Sequence, residues 1–154
     1  MRIHIQSTAF AEGQPIPARH AFDQENISPD LQWSGVPSAA KSLVLICDDP
    51  DAPAGTWVHW VLYDLTPSMT GIPEGQPASA TLDLGAKQGI NDFKRLGYGG
   101  PMPPPGKLHR YFFRLYALDL GPDLKPGLTK KELLKVMEGH ILAQGELMGI
   151  YQRN

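Results

Sequence analysis

The stretch GYGGPMPPPGKLHRYFFRLY, Gly97 to Tyr116, decides the fold. Its first half cannot be regular structure. Gly97, Gly99, Gly100 and Gly106 admit positive φ, while Pro101, Pro103, Pro104 and Pro105 fix φ and donate no backbone hydrogen bond. Its second half opens the run His109 to Leu118, which is aromatic and aliphatic and reads as a strand. A stiff, irregular loop therefore feeds a core strand. His109 stands at the junction, where a rigid scaffold can present a binding residue.

Two further apolar runs read as strands of the same core: Ser42 to Cys47 (SLVLIC), buried on both faces, and Trp57 to Leu65 (WVHWVLYDL). Arg2 to Ser7 alternates around Ile3 and Ile5 and reads as an edge strand. Ala11 to His20 reads as a loop, Ile27 to Asp30 and Ser34 to Pro37 as turns, and Leu31 to Trp33 as a short strand between them. Thr66 to Ala80 reads as a loop, and Thr81 to Gly97 as a short strand and a loop. One helix begins at Thr129. Thr129 and Glu132 have capping-box spacing, Leu128 and Leu133 fit a staple, Leu133, Val136 and Met137 share a face, and Gly139 suits the C-terminal cap. Ile141 to Tyr151 fits a helix or a strand, with the alternation of Ala143, Gly145, Leu147, Gly149 and Tyr151 favouring a strand. Glycine and proline make up 31 of 154 residues, which suits short strands joined by ordered loops. The expectation is a mostly β fold in one domain over residues 1–154.

Bulk properties narrow the function classes. A formal charge of −2, mixed in sign along the chain, argues against non-specific nucleic-acid binding. The lone Cys47 sits in an apolar run without a partner and points to a reducing compartment. MRIHIQSTAF has no apolar signal-peptide core, and no stretch approaches the ~20 apolar residues of a membrane span. The expected location is the cytoplasm. His4 and His20 read as surface residues, and His140 as a helix-end residue.

Strand parity places chemistry at the ends of apolar faces. Asp49 continues the face of Leu43, Leu45 and Cys47. His59 falls with Trp57, Val61 and Tyr63. His109 falls with Tyr111, Phe113, Leu115 and Ala117. Each group would cost several kcal/mol if buried unpaired. Gathering Asp49, His59 and His109 in one small cavity answers all three. Asp48, Asp49 and Asp51 crowd a turn stiffened by Pro50 and Pro53, and a pairing of Asp51 with Arg110 would clamp that turn to the glycine loop. Ala52-Pro53 is a candidate cis peptide.

DDPDAP (Asp48 to Pro53), His59-Trp60, SPDLQW (Ser28 to Trp33) and the Gly97 to Leu118 segment together resemble the phosphatidylethanolamine-binding protein family, which includes the Raf kinase inhibitor proteins. The likeness runs from about Ser7 to Tyr151. The spacing and the ending GHILAQGELMGIYQR resemble its bacterial and archaeal branch. The resemblance implies a β-sandwich with a large central antiparallel sheet, a smaller sheet and one or two short helices. It also implies a pocket for phosphate-type head groups such as phosphoethanolamine, lined by Asp49, Pro53, Trp57, His59, Gly100, Pro101, His109 and Tyr111. No cofactor, metal or catalytic residue is implied. Asn154 follows Tyr151 by three residues, which departs from relatives that flank the pocket with a C-terminal helix. The branch further implies a homodimer, in which a partner subunit could supply that wall.

Three function classes follow. The first is a non-catalytic binding module for a small anionic or phosphorylated ligand, regulating a partner protein. The second is an enzyme, because one carboxylate and two imidazoles match in type a metal facial triad or the base-and-orienter half of a hydrolase triad; no G-x-S-x-G motif accompanies them. The third is a protein-surface inhibitor of a kinase or protease that uses the pocket loops.

Overall fold

In the computed structural model, which describes residues 2–154 and every side chain among them except that of Leu84, the long apolar runs pair with one another. Ser42–Asp49 (β3) lies between Trp57–Leu65 (β4) and Leu108–Leu118 (β7). Ile141–Gln152 (β8) is a strand and extends the sheet beyond β7, while Lys87–Gln88 (β6) pairs with β4 at the other edge. All five strands are antiparallel to their neighbours. Each of the eight residues of β3 is buried, as expected of a central strand covered on both faces.

A smaller antiparallel sheet joins His4–Gln6 (β1), Leu31–Ser34 (β2) and Gly71–Ile72 (β5) in that order. Its Ile5, Leu31, Trp33 and Ile72 pack against Leu43, Leu45, Trp60, Phe113 and Leu115 of the large sheet. The fold is therefore a mostly β sandwich. The other face of the large sheet carries a second apolar layer. There Val44, Ile46, Val61 and Tyr63 meet Leu133 and Met137 of the helix Lys130–Met137 (α1). The capping box forms as its spacing requires: Glu132 N–H donates to the Thr129 hydroxyl at 3.2 Å and Thr129 N–H to the Glu132 carboxylate at 3.0 Å. Gly139 takes φ +80° just beyond the helix.

Strand β8 is long and lies at a sheet edge, yet its free side is not bare. Ile3, Gly13 and Ile16 donate backbone N–H groups to the carbonyls of Gln144, Met148 and Ile150 at 3.0, 2.7 and 2.7 Å. The N-terminal stretch thus covers an edge that would otherwise invite pairing with another chain.

Four sequence readings change. A bulge in β4 alters the expected parity. Cys47 pairs with Trp60 but Asp48 pairs with Val58, so His59 is an extra residue and His59 and Trp60 turn to the same side. Val61 and Tyr63 therefore lie in the helix-side layer, not with His59. His20 is not at the surface: it is fully buried, and its Nδ1–H donates to the Ile27 carbonyl at 2.7 Å. The Ala52–Pro53 peptide is trans. The loop read over Thr66 to Ala80 contains β5.

Candidate ligand-binding pocket

Antiparallel pairing of β3 with β4 and β7 brings the ends that carry Asp49, His59 and His109 to one end of the sandwich. Asp49, His59, His109 and Tyr111 border a cavity of about 230 Å³. Ala52, Pro53, Trp57 and Phe93 form its sides, and Met102, Pro103 and Pro104 of the glycine-proline loop complete it.

Each polar group is oriented by a fixed partner. Asp49 accepts from the Asp51 backbone N–H at 2.7 Å through one oxygen and from His109 Nδ1 at 2.6 Å through the other. The His59 Nδ1–H donates to the Gly99 carbonyl at 2.6 Å, because a carbonyl oxygen only accepts. These bonds occupy Nδ1 of both rings and leave Nε2 as the remaining polar atom of each. Burial pushes His59 below its ordinary value, against the opposing pull of Gly99 and of the Asp49 charge. Rings enclose it: Tyr111 and Phe93 meet the imidazole edge-on at centroid distances of 5.2 and 5.5 Å. The Tyr111 hydroxyl is buried without a partner among the described residues, and burial raises its pKa, with the Asp49 charge adding to the shift.

Asp51 and Arg110 form the expected clamp. The Asp51 carboxylate accepts from Arg110 N, Nε and Nη2, each at 2.9 Å. The Arg110 side chain holds Asp51 below the usual carboxylate range.

Gly100 and Pro101 do not border this cavity, though Pro101 lines a small void together with His59 and Tyr111. Gly100 N–H donates to the Asn26 side chain at 2.8 Å, and a methyl group on Gly100 would run into the His20 carbonyl oxygen. Pro101 accepts from Phe22 N–H at 3.0 Å. Both pin the loop to the segment behind the pocket. Sequence reading missed Ala52, Phe93 and Met102, and took Pro103 and Pro104 only as stiffeners. Phe93 gave no local signal. Its role rests on stacking against Phe22 at 4.2 Å, a contact 71 residues apart in the chain.

Among the described residues no group of three or more His, Cys, Asp or Glu side chains is arranged to hold a metal ion. No described helix is long and apolar enough to cross a membrane.

Residues 6–152 match the family described as phosphatidylethanolamine-binding protein. A UPF0098 protein of Methanothermobacter thermautotrophicus is 52% identical over 151 residues, covering 98% of this chain and 99% of that one. A UPF0098 protein of Pyrococcus horikoshii is 47% identical over 96% of this chain and 75% of its own length. The crystal structure of a putative phosphatidylethanolamine-binding protein homologue from Chlamydia trachomatis superposes with a TM-score of 0.89 at 42% identity, covering 99% of both chains. Escherichia coli YbcL, described as a member of the mammalian family, superposes with a TM-score of 0.92 at 30% identity over the whole of both chains.

Proposed function

Since the chain belongs to the phosphatidylethanolamine-binding protein family, whose members are non-catalytic, we propose that the 230 Å³ cavity holds a small phosphate-type anion or phosphoethanolamine-like head group. Occupancy would then regulate a partner protein, a kinase or protease being the classes in view. One observation carries the reading: both imidazoles spend Nδ1 on fixed acceptors, so each keeps Nε2 for a ligand. A protonated Nε2–H makes a charge-assisted hydrogen bond to an anionic oxygen, and a neutral Nε2 accepts from a phosphate hydroxyl. Asp49 orients His109 rather than binding the anion itself. The lone buried thiol Cys47 supports a cytoplasmic protein, and a homodimer is the assembly proposed.

Calorimetric titration with phosphoethanolamine, phosphate and sulfate tests this. His59→Gln and His109→Gln should each weaken binding about tenfold, the loss of one charged hydrogen bond. Equal affinity of parent and both variants would refute the assignment. Sulfate stays a dianion, so it needs Nε2–H. Burial favours the neutral form of His59, so sulfate binding would draw a proton onto it. Sulfate affinity should rise as pH falls from about 8 to about 6, near the ordinary histidine range, and this slope should shrink in His59→Gln.

A further inference from the structure

A second cavity, of about 730 Å³, opens on the helix side of the large sheet, between α1 and the start of β4. Its floor is apolar, formed by Val58, Ile90, Leu134, Met137 and Ile141. Leu134 and Ile141 are 40% and 43% exposed, and only two other large apolar side chains among the described residues are comparably open. The cause is local. A helix that commits Leu133 and Met137 to the sheet leaves Leu134, turned by roughly 100°, beside the seam.

Charge is distributed unevenly around this floor. Lys130 is committed to Asp48 at 2.5 Å, whereas Lys131 and Lys135 join no ion pair among the described residues. Their i, i+4 spacing sets them on one side of α1. Of the two acids at the rim, Asp92 already accepts from Val58 N–H at 2.7 Å, and Glu138 is exposed at the C-cap of α1. An apolar hollow in the range of roughly 300–1,000 Å³ with a few polar groups is the usual form of a small-molecule site.

The geometry points to a binding site for an anionic amphiphile, with its alkyl chain on the Val58, Leu134 and Ile141 floor and its carboxylate or phosphate head between Lys131 and Lys135. This site is separate from the anion pocket and does not depend on that reading. Strand alternation turns Trp57 to one cavity and Val58 to the other, so the two ligands bind on opposite faces of the same sheet.

Decanoate and decyltrimethylammonium, matched in chain length and kept below micelle-forming concentrations, are titrated calorimetrically against the full chain. Decanoate should bind one per chain and about tenfold more tightly than the cation. The double substitution Lys131→Glu/Lys135→Glu should reverse that preference. Leu134→Asp should abolish binding of both, with circular dichroism at the titration temperature showing that the variant is folded, since Leu134 is 40% exposed and lies outside the packed core. Two results overturn the proposal: equal affinity for the two amphiphiles, or decanoate binding unchanged by the substitutions. Absence of saturable decanoate binding overturns it too and leaves the groove to a protein segment or a second copy of the chain.

Discussion

Asp48 and Asp49 are neighbours in β3, both buried, and strand alternation turns them to opposite faces of the large sheet. On the helix side Asp48 is answered twice, by Arg114 Nη1 from β7 at 3.0 Å and by Lys130 Nζ from α1 at 2.5 Å. On the pocket side Asp49 has one titratable partner, His109, and one backbone N–H. The first arrangement is redundant and straps α1 to the sheet. The second is minimal and leaves its imidazole with an uncommitted nitrogen. A buried acid with two permanent cations has structural work only, while one held by a single histidine can pass a proton or a hydrogen bond on to a ligand.

This contrast can be broken by substitution. The largest effect should come from His109→Ala, which leaves the buried Asp49 carboxylate with a single donor. A loss of about 3 kcal/mol of unfolding free energy at pH 7 is expected in urea melts. Replacing Asp49 by Ala in the same chain should recover part of that loss, since the unpaired charge goes with it, and a double-mutant cycle would read the coupling directly. Lys130→Ala should cost less, about 1 kcal/mol, because Arg114 still answers Asp48. If Lys130→Ala proves more damaging than His109→Ala, the redundancy argument is wrong. Least of all should come from Arg110→Ala at the exposed clamp, whose stability change should lie near the limit of detection. Its effect should appear instead as a looser Asp51 turn, read by faster backbone amide exchange at Arg110 neighbours. Unchanged exchange there would show that the turn holds itself.

How legible the molecule is from sequence depends on the range of the interactions involved. The cap of α1 was readable to the residue, since Thr129 and Glu132 satisfy each other across three positions. Strands β3, β4 and β7 were readable because long apolar runs have few other uses. The two-residue strand β5 was not, and the short strand expected within Thr81 to Gly97 could not be placed: Ile72 and Gln88 are strand residues only because Leu31 and Leu62 lie opposite them. His20 read as exposed because nothing near it in sequence shows that the glycine loop closes over it, with the Tyr98 hydroxyl donating to its carbonyl. Within the pocket, Asp49, Pro53, Trp57, His59, His109 and Tyr111 came from parity and family likeness, whereas Phe93 and Met102 needed the folded loop.

Alternation, capping and loop stiffness are enforced by sterics and hydrogen bonds within a few residues, so the chain alone determined a mostly β architecture, its helix boundary and the identity of its three central polar groups. Only the tertiary structure decided which way His59 faces relative to Val61. A single extra residue in the β3–β4 ladder reverses every side chain beyond it, and that register is set by packing between segments distant in sequence. The same long-range pairing decided that Asp48 and Asp49, one residue apart, serve different faces with different partners.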